Sequence, residues 1–270
     1  MNISLSKPIA RGRTADVYSW GDGQILKLYQ SWCPPDWVEH EAHVAHIIFE
    51  AGIPTPAAGE IVSVDGRRGI IYERVEGVSM LDDMRRRPWL ILRHARALAG
   101  LQAQFHQLSI PGLHSYRDGL ANSIRQAPDL PEALREKALS ALASLPDEKN
   151  LCHGDFHPDN VLITQRGVVV IDWMTASLGS RWADVARTNL ILSIGVKAAG
   201  DRLNPFIRLF SGLFHQTYLK HYLSLTPGGQ GEMARWQPVI AAARLNERIE
   251  QEREALLQIV GEGLGYQLSA

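Results

Sequence analysis

Three side chains in residues 151–173 carry the oxygen atoms that the transfer of a phosphoryl group requires. Asp155 lies in the loop sequence HGDFHPDN, Asn160 follows it by five residues, and Asp172 ends the apolar run that comes next. Such a reaction needs one carboxylate that orients an attacking hydroxyl, and further oxygen ligands that hold Mg²⁺ on the phosphates. We therefore expect Asp155 to be the catalytic residue and Asn160 and Asp172 to be the metal ligands.

The same residue types have a simpler interpretation, because Asp and Asn also stabilise turns. The neighbouring sequence favours the chemical interpretation. Residues 161–164 and 168–171 are two short apolar segments that predict a pair of strands, and this pair separates Asn160 from Asp172. A loop followed by such a strand pair is the structural context that the motif needs.

The segment resembles the signature of the aminoglycoside phosphotransferase and choline kinase-like family, a branch of the protein-kinase-like superfamily. The shared elements are His153-Gly154-Asp155, an asparagine five residues after that aspartate, and a later aspartate at a strand end. The resemblance implies that Asp155 is the catalytic base, that Asn160 and Asp172 bind Mg²⁺, and that the nucleotide is ATP. Trp173 follows Asp172 where protein kinases have Asp-Phe-Gly, which favours the small-molecule branch.

The strand-rich N-terminal segment contains the other parts that a kinase requires: a hairpin over the phosphates, a lysine on the next strand and a glutamate on a helix. Residues 10–18 predict the hairpin, with Gly12 as its one glycine. Lys27 lies in the apolar strand QILKLY, where a buried ammonium requires an anionic partner. Glu39 and Glu41 on the following helix are both candidates by spacing, and the family's Glu-x-Glu pattern favours Glu41.

Residues 72–75, with the sequence YERV, end the strand-rich segment. By resemblance they form the hinge between two lobes, where backbone groups of Glu73 and Val75 bind the adenine of ATP. A plain strand end is the alternative interpretation. The resemblance also gives Asp184 a structural role, either in bracing the catalytic loop or in capping a helix. We interpret His153 in the same way, since its surroundings are a loop and no third metal ligand is evident.

The element pattern predicts an α+β protein, with the bilobal protein-kinase-like fold that the resemblance implies. The small N-terminal lobe, residues 1–76, has an antiparallel sheet with one helix, because two hairpin signals flank a helical pattern at 37–51. The larger lobe, residues 77–270, is mostly helical. Its predicted helices cover residues 89–108, 131–145, 182–223 and 236–260, with a Pro-Gly-Gly loop at 227–229.

The composition argues against several other classes of protein. The formal net charge is −1, so the chain lacks the basic excess that neutralises a nucleic-acid backbone. No apolar run reaches the ~18 residues of a membrane-spanning helix, and the N-terminus lacks the apolar core of a secretion signal. Two cysteines without metal-like spacing are compatible with a reducing compartment, so we expect a cytoplasmic enzyme.

The expected partner is a small-molecule hydroxyl acceptor. The sequence leaves open the identity of this acceptor and the oligomeric state of the enzyme. An antibiotic such as an aminoglycoside and a metabolite such as an amino alcohol or a sugar are both candidates. Residues 187–260 mix both charge signs, which mildly disfavours a polycationic aminoglycoside. One alternative is a non-catalytic nucleotide-binding protein, although the residues that catalysis needs are all present. Another is a protein kinase, although Asp-Phe-Gly and Ala-Pro-Glu are absent.

Overall fold

Strands dominate the first part of the chain, and helices dominate the remainder. The computed structural model describes residues 7–198, 205–226 and 229–266. The strands are β1 (Ala10–Arg11), β2 (Ala15–Ser19), β3 (Gln24–Tyr29), β4 (Ala58–Val64), β5 (Arg67–Glu73), β6 (Val78–Ser79), β7 (Asn150–Cys152), β8 (Val161–Thr164), β9 (Gly167–Val170) and β10 (Ser177–Gly179). The α-helices are α1 (Pro35–Glu50), α2 (Met80–Arg86), α3 (Ile91–Phe105), α4 (Tyr116–Gln126), α5 (Glu132–Ser144), α6 (Arg181–Ala198), α7 (Pro205–Leu225), α8 (Gln230–Arg244) and α9 (Arg253–Gly263).

These elements group into two compact units. Unit 1 comprises Met1–Met80 and Asp159–Met174, and unit 2 comprises Leu81–Pro158 and Thr175–Ala270. Residues 159–174 thus group with the N-terminal sheet, whereas the sequence analysis assigned them to the second lobe. The lobe boundary at residues 76 and 77 stays a prediction.

Unit 1 contains a five-stranded antiparallel sheet in the order β1-β2-β3-β5-β4. Its two long hairpins turn where the sequence predicts. Gly21 and Gly23 have φ values of 56° and 71°, and Asp65 and Gly66 have φ values of 50° and 76°. Residues with such left-handed values match the twist of the flanking strands in tight hairpins. These turns set the register of β3 against β5, and therefore the neighbours of each side chain on the sheet.

Helix α1 is the helix predicted within this segment. It begins directly after Pro34 and is followed by Gly52, whose φ of 75° suits the residue after a helix end. Its buried face includes Val38, Glu41 and Ile48, and it packs against the sheet. An acidic side chain on an otherwise apolar buried face needs a partner, since an unpaired buried charge is costly.

A second, three-stranded sheet in unit 1 has the order β6-β8-β9. β8 and β9 form an antiparallel hairpin in which Val161 lies opposite Val170. The strand pair predicted between Asn160 and Asp172 is therefore present, and it ends one residue earlier than predicted, at Val170.

Helices form most of unit 2, together with the antiparallel pair of β7 and β10. Helix α4 was missed by the sequence analysis, although its start carries a recognisable signal. Ser115 is the residue before the helix, and its hydroxyl accepts the backbone N–H of Asp118 at 3.2 Å. This is the usual N-cap bond, which satisfies a backbone donor that the helix itself cannot. The short helix α2 was missed as well.

The helix predicted over 236–260 is wrong as one element. α8 ends at Arg244, two 3-10 turns follow, and α9 begins at Arg253. Between the turns Arg248 has a left-handed φ of 56°, which an α-helix cannot contain. The Arg244 guanidinium donates to both carboxylate oxygens of Glu252, at 2.6 and 2.9 Å, and this buried pair holds the two ends of the break together.

The stretch predicted as helical at 182–223 forms α6 and α7, and the connection between them lies outside the described residues. Residues 227 and 228 of the predicted Pro-Gly-Gly loop also lie outside them. In the part of the chain that the structure describes, no helix is both long enough and apolar enough to cross a bilayer. The predicted α+β class is confirmed, with an N-terminal antiparallel sheet and a larger helical remainder.

Candidate functional site

Lys27 is the centre of a charged cluster in unit 1. Its Nζ atom lies 2.8 Å from Oε1 of Glu41 and 2.9 Å from Oδ1 of Asp172. Burial alone lowers the pKa of Lys27, but the charges of Glu41 and Asp172 outweigh burial and raise the pKa above its ordinary value. The side chain is therefore a permanent ammonium, held between two carboxylates.

The structure places Glu41, and not Glu39, beside Lys27. Glu39 points to the surface, where its carboxylate lies 2.8 Å from the Arg68 guanidinium. The two glutamates are two residues apart on α1, so they face different sides of the helix. The choice that the family's Glu-x-Glu pattern suggested therefore agrees with the geometry.

Two tyrosine hydroxyls also donate to the Glu41 carboxylate, which is 3% exposed. Tyr29 contacts Oε2, and Tyr72 contacts Oε1 at 2.9 Å. Burial first, and then the Glu41 charge, raise the pKa of both tyrosines, so both stay protonated donors. The sequence analysis predicted neither of these contacts with Glu41. Tyr29 was detectable in principle, because side chains two residues apart on a strand share a face and Tyr29 follows Lys27 by two.

Asn160 and Asp172 lie at one end of the β8–β9 hairpin. Asn160 precedes β8, Asp172 follows β9, and the Ile171 N–H donates to the Asn160 carbonyl at 3.0 Å. Asp172 has a left-handed φ of 62°, a conformation that Asp tolerates better than most residues and that is enriched at functional positions. Asn160 is 8% exposed, whereas the Asp172 side chain is 45% exposed.

This pair fits a magnesium ion by donor chemistry. One carboxylate and one amide offer the hard oxygen ligands that Mg²⁺ prefers, and the ion usually takes its remaining ligands from water and phosphate. Among the described residues no group of three or more His, Cys, Asp or Glu side chains is arranged to hold a metal ion. With two protein ligands, the ion would take the rest of its coordination from water or phosphate.

The remaining nucleotide-binding candidates lie elsewhere in unit 1. Gly12 closes a tight turn between β1 and β2, where its N–H donates to the Ala15 carbonyl at 2.8 Å. Glu73 is the last residue of β5, and its N–H donates to the Ala57 carbonyl at 2.9 Å. Val75 follows two residues later in an irregular connection. The roles of Gly12, Glu73 and Val75 stay predictions.

The loop that carries Asp155 lies in unit 2 and is fixed at Gly154. The Gly154 N–H donates to Oδ1 of Asp184 at 2.7 Å, and its carbonyl accepts Nε of Arg187 at 3.0 Å. Gly154 has a φ of 78°, and a Cβ atom at this position would lie 2.8 Å from the Thr175 carbonyl oxygen. Both the backbone conformation and the space therefore require glycine in this loop.

Asp155 is surrounded by cationic and hydrogen-bonding groups. Its carboxylate lies 3.7 Å from Nη2 of Arg187 and 3.5 Å from Nε2 of His157, and its N–H donates to Nδ1 of His153 at 3.2 Å. Burial by itself raises the pKa of Asp155, but the His157 hydrogen bond and the Arg187 charge hold it well below the usual range. The carboxylate is therefore ionised and can orient a hydroxyl group.

A fully buried polar network supports this loop from behind. Oδ2 of Asp184 accepts a hydrogen bond from Nε2 of Gln102 at 2.9 Å and lies 3.0 Å from Nε2 of His106. Nδ1 of His106 lies 2.6 Å from the hydroxyl of Tyr222. Of the two structural roles expected for Asp184, the bond to Gly154 agrees with bracing the loop, whereas the sequence analysis did not identify Gln102, His106 or Tyr222. Gln102 lies on α3, His106 directly follows that helix, and Tyr222 lies on α7, so all three are distant along the chain from the Asp155 loop.

Comparisons with known proteins add to this geometry. A family model described as APH, phosphotransferase enzyme family, matches residues 6–224. A thermostable mutant of aminoglycoside phosphotransferase APH(4)-Ia, in ternary complex with AMP-PNP and hygromycin B, has a TM-score of 0.60 at 16% identity, over 97% of this chain and 93% of that one. A choline/ethanolamine kinase family protein from Mesorhizobium loti has a TM-score of 0.56 at 16% identity, over 97% and 87%. At such identities these likenesses establish the fold, and the predicted protein-kinase-like fold is confirmed.

A curated protein, Acyl-CoA dehydrogenase family member 11 from Gallus gallus, is 31% identical over 173 residues. The match covers 55% of this chain but only 22% of that protein, so this chain spans about a fifth of the length of its curated relative. The family model, in contrast, covers most of the chain, including the cluster around Lys27 and the loop of Asp155. The chain belongs to the phosphotransferase enzyme family.

Proposed function

We propose that this protein transfers the γ-phosphate of ATP to a hydroxyl group of a small molecule. The observation that carries the proposal is the ammonium of Lys27, which Glu41 holds at 2.8 Å and which reaches Asp172 at 2.9 Å. A buried cation beside a half-exposed carboxylate suits a magnesium-bound triphosphate, because it can contact the phosphates while the carboxylate holds the metal. The family membership supports the same reaction class.

In this proposal unit 1 binds the nucleotide. Lys27 contacts the α- and β-phosphates, and Asn160 and Asp172 hold Mg²⁺, which neutralises phosphate charge when it is bound. The turn at Gly12 covers the phosphates, and backbone groups at Glu73 and Val75 bind adenine. The complex of a structural relative with AMP-PNP supports an adenine nucleotide as the ligand.

Asp155 is the proposed catalytic residue. Because its pKa is held well below the usual range, it is a weak proton acceptor early in the reaction. Its main contribution is then to orient the acceptor hydroxyl in line with the γ-phosphate, and to take the proton as the new bond forms. Positioning and charge stabilisation are the main sources of rate in phosphoryl transfer.

The charges around Asp155 favour a neutral or singly charged acceptor. Asp155 and Glu247 both contact the Arg187 guanidinium, and Glu252 pairs with Arg244. Two arginines thus face three carboxylates, which leaves one negative charge in excess, whereas a polycationic aminoglycoside would need several acidic groups for its amines. An amino alcohol, a sugar or a related metabolite therefore fits better than an aminoglycoside.

The two described thiols, Cys33 and Cys152, are not joined in a disulfide. Free thiols are typical of a reducing compartment, and ATP-dependent transfer requires a compartment that contains ATP. We therefore propose the cytoplasm as the site of action.

The test is magnesium-dependent ADP release with a panel of acceptors, using Asp155→Ala as the blank. The panel holds choline, ethanolamine, homoserine, sugars, aminoglycosides and macrolides, and a mixture of peptides for the protein kinase alternative. We expect acceptor-dependent turnover that falls by at least about 100-fold in Asp155→Ala, while ATP binding is retained. Turnover that is equal in the variant would contradict the role of Asp155. Mg·ATP binding with no turnover on any acceptor would support a non-catalytic protein, and no nucleotide binding would overturn the proposal.

A further inference from the structure

Arg187 is a nearly buried guanidinium that contacts the loop of Asp155 at two points. It lies on α6, one turn after Asp184, and its side chain is 13% exposed. Its Nε donates to the Gly154 carbonyl at 3.0 Å, and its Nη2 lies 3.7 Å from Oδ1 of Asp155. Neither the sequence analysis nor the family signature includes this residue.

The second partner of this guanidinium is Glu247. Nη2 of Arg187 donates to Oε1 of Glu247, which lies in the 3-10 turn after α8. Nη1 of Arg244 donates to the other Glu247 oxygen at 3.1 Å, and Arg244 also binds Glu252. The charges alternate along this series, so the buried Arg244 and the largely buried Arg187 each have a partner of opposite sign.

The distances show how Arg187 divides its interactions. Its contact with Glu247 is within hydrogen-bonding distance, whereas the 3.7 Å to Asp155 is too long for a hydrogen bond. The positive charge of Arg187 therefore acts on Asp155 from 3.7 Å, while its Nε holds the neighbouring Gly154 carbonyl.

We propose that Arg187 is a positioning residue for Asp155, because it holds the loop at the Gly154 carbonyl and places its charge beside the Asp155 carboxylate, and that Glu247 fixes the guanidinium in that place. This inference rests on the proposed function, because it gives the pair a role in the same phosphoryl transfer. It also assigns a role to the 3-10 turn at Leu245–Glu247, which follows α8 and packs against α8 and α4.

The first test compares Arg187→Met with Arg187→Lys. Methionine keeps much of the side-chain volume and removes the charge, whereas lysine keeps the charge and loses the planar donor set. We expect Arg187→Met to lower kcat by about 10- to 100-fold, as for other misplaced catalytic groups, with the KM for ATP changed less than about twofold. Arg187→Lys recovers part of the loss. Arg235→Met, which removes an exposed arginine paired with Glu232 on α8, is the matched control and leaves kcat unchanged.

A purely structural role for Arg187 predicts another result. Activity would then fall in proportion to the folded fraction, measured by thermal unfolding of each variant, and kcat per folded molecule would stay unchanged. That outcome overturns the proposal. Glu247→Gln provides a second variant if Arg187→Met does not fold: it retains the shape of the side chain and weakens the hold on Arg187. We expect it to lower kcat, and adding it to Arg187→Met should cause little further loss, since both changes act through one contact.

A measurement without turnover separates this inference from the proposed function. ¹³C-labelled aspartate allows the pKa of Asp155 to be followed by NMR, with Asp155→Asn used to assign the signal. Removing the cation should raise the pKa in Arg187→Met by at least about one unit, because an opposite charge lowers a carboxyl pKa by 1–3 units. His153 and His157 also face this carboxylate, and neither changes in the variant. If the wild type transfers no phosphate, the proposed function fails; an unchanged Asp155 pKa contradicts the role of Arg187 alone.

Discussion

The ammonium of Lys27 and the carboxylate of Asp172 lie 2.9 Å apart, although 145 residues separate them in the sequence. Lys27 belongs to the five-stranded sheet, and Asp172 follows the β8–β9 hairpin, which packs in the same unit. The fold thereby joins the proposed phosphate-binding cation to a proposed metal ligand. A substitution at either residue should affect nucleotide binding, but for different physical reasons.

Replacing Lys27 by methionine removes the cation and leaves Glu41 without its main partner. We expect kcat/KM for ATP to fall by at least about 100-fold, similar to the loss of other preorganised charge-stabilising groups. The free energy of unfolding should also fall, by about 3 kcal/mol, because the buried Glu41 carboxylate loses its counterion. Steady-state kinetics and urea unfolding measure the two effects.

Arg68→Met is the control for the lysine variant. It breaks the exposed pair between Arg68 and Glu39, and Glu39 lies on the same helix as Glu41. Exposed pairs contribute about 0–1 kcal/mol, so stability and kinetics should stay near wild type. An Arg68→Met effect as large as that of Lys27→Met would show that the Lys27 result reflects general disturbance of the sheet.

Replacing Asp172 by asparagine tests the metal proposal. The amide keeps the size of the side chain but removes the negative charge that binds Mg²⁺, so the concentration of Mg²⁺ needed for half-maximal turnover should rise by at least about tenfold. Calorimetric titration of Mg·ATP should show a matching loss of affinity. Glu60→Gln removes an exposed acidic charge from β4 in the same unit and should change neither quantity. An unchanged Mg²⁺ requirement in Asp172→Asn would remove Asp172 from the metal site.

Gly154 and Gly66 allow backbone strain to be separated from steric clash. Their φ values are 78° and 76°, so alanine is strained to a similar extent at both, by about 1–2 kcal/mol. A Cβ at Gly66 has nothing within 4 Å, whereas a Cβ at Gly154 would lie 2.8 Å from the Thr175 carbonyl. We expect Gly154→Ala to be clearly less stable than Gly66→Ala and to lose phosphate transfer, since the loop of Asp155 must shift. Thermal unfolding and turnover of both variants check this, and equal stability would show that the loop can adapt.

Much of unit 1 was predictable because its signals are local. Asp-Gly turns, a proline before a helix and a glycine after it define the hairpins and α1 within a residue or two. The motif around Asp155 was equally readable, since the chemistry and the spacing lie within 23 consecutive positions, residues 151–173. These features depend on short-range backbone preferences, which the types of the adjacent residues determine.

The groups that support the site were not predictable, because they meet through tertiary packing. Tyr72 reaches Glu41 only through the register that places it opposite Ile25 on β3. Arg187 and Glu247 are 60 residues apart in the sequence. Glu247 lies in a turn because the helix breaks there, whereas the local charge pattern predicts a continuous helix. A run of arginines and glutamates favours a solvated helix by itself. The buried pair of Arg244 and Glu252 overrides that preference.

The buried network behind Gly154 should make stability depend on pH. Burial is the first cause that lowers the pKa of His106 below its ordinary value, so the folded protein holds this ring neutral. Nε2 faces the Asp184 carboxylate and must carry the proton, which leaves Nδ1 to accept the Tyr222 hydroxyl. A protonated His106 could not accept that hydrogen bond. Protonation is therefore unfavourable in the folded state and favourable in the unfolded chain.

The sign of the pH effect follows from this difference. Below the unfolded pKa of about 6.5 the unfolded chain binds more protons than the folded one, so the contribution of His106 is present above that pH and is lost as the pH falls. The loss is at most about 1.4 kcal/mol per pH unit for one histidine. His215, whose pKa burial also lowers, acts in the same direction. The lowered pKa of Asp184 adds a loss only at more acidic pH, near and below its ordinary value of about 4.

Urea unfolding at pH 7.5, 6.5 and 5.5 measures this dependence in the wild type and in His106→Gln. Glutamine has both a donor group and an acceptor atom but does not titrate, and its shape differs from that of the ring. The variant should therefore be less stable at pH 7.5 and should lose less stability between pH 6.5 and 5.5. His46→Gln, which replaces an exposed histidine on α1, should keep the wild-type slope. If the wild-type and His106→Gln slopes were equal, His106 would not be the group that limits stability in acid, and the network behind Gly154 would tolerate its protonation.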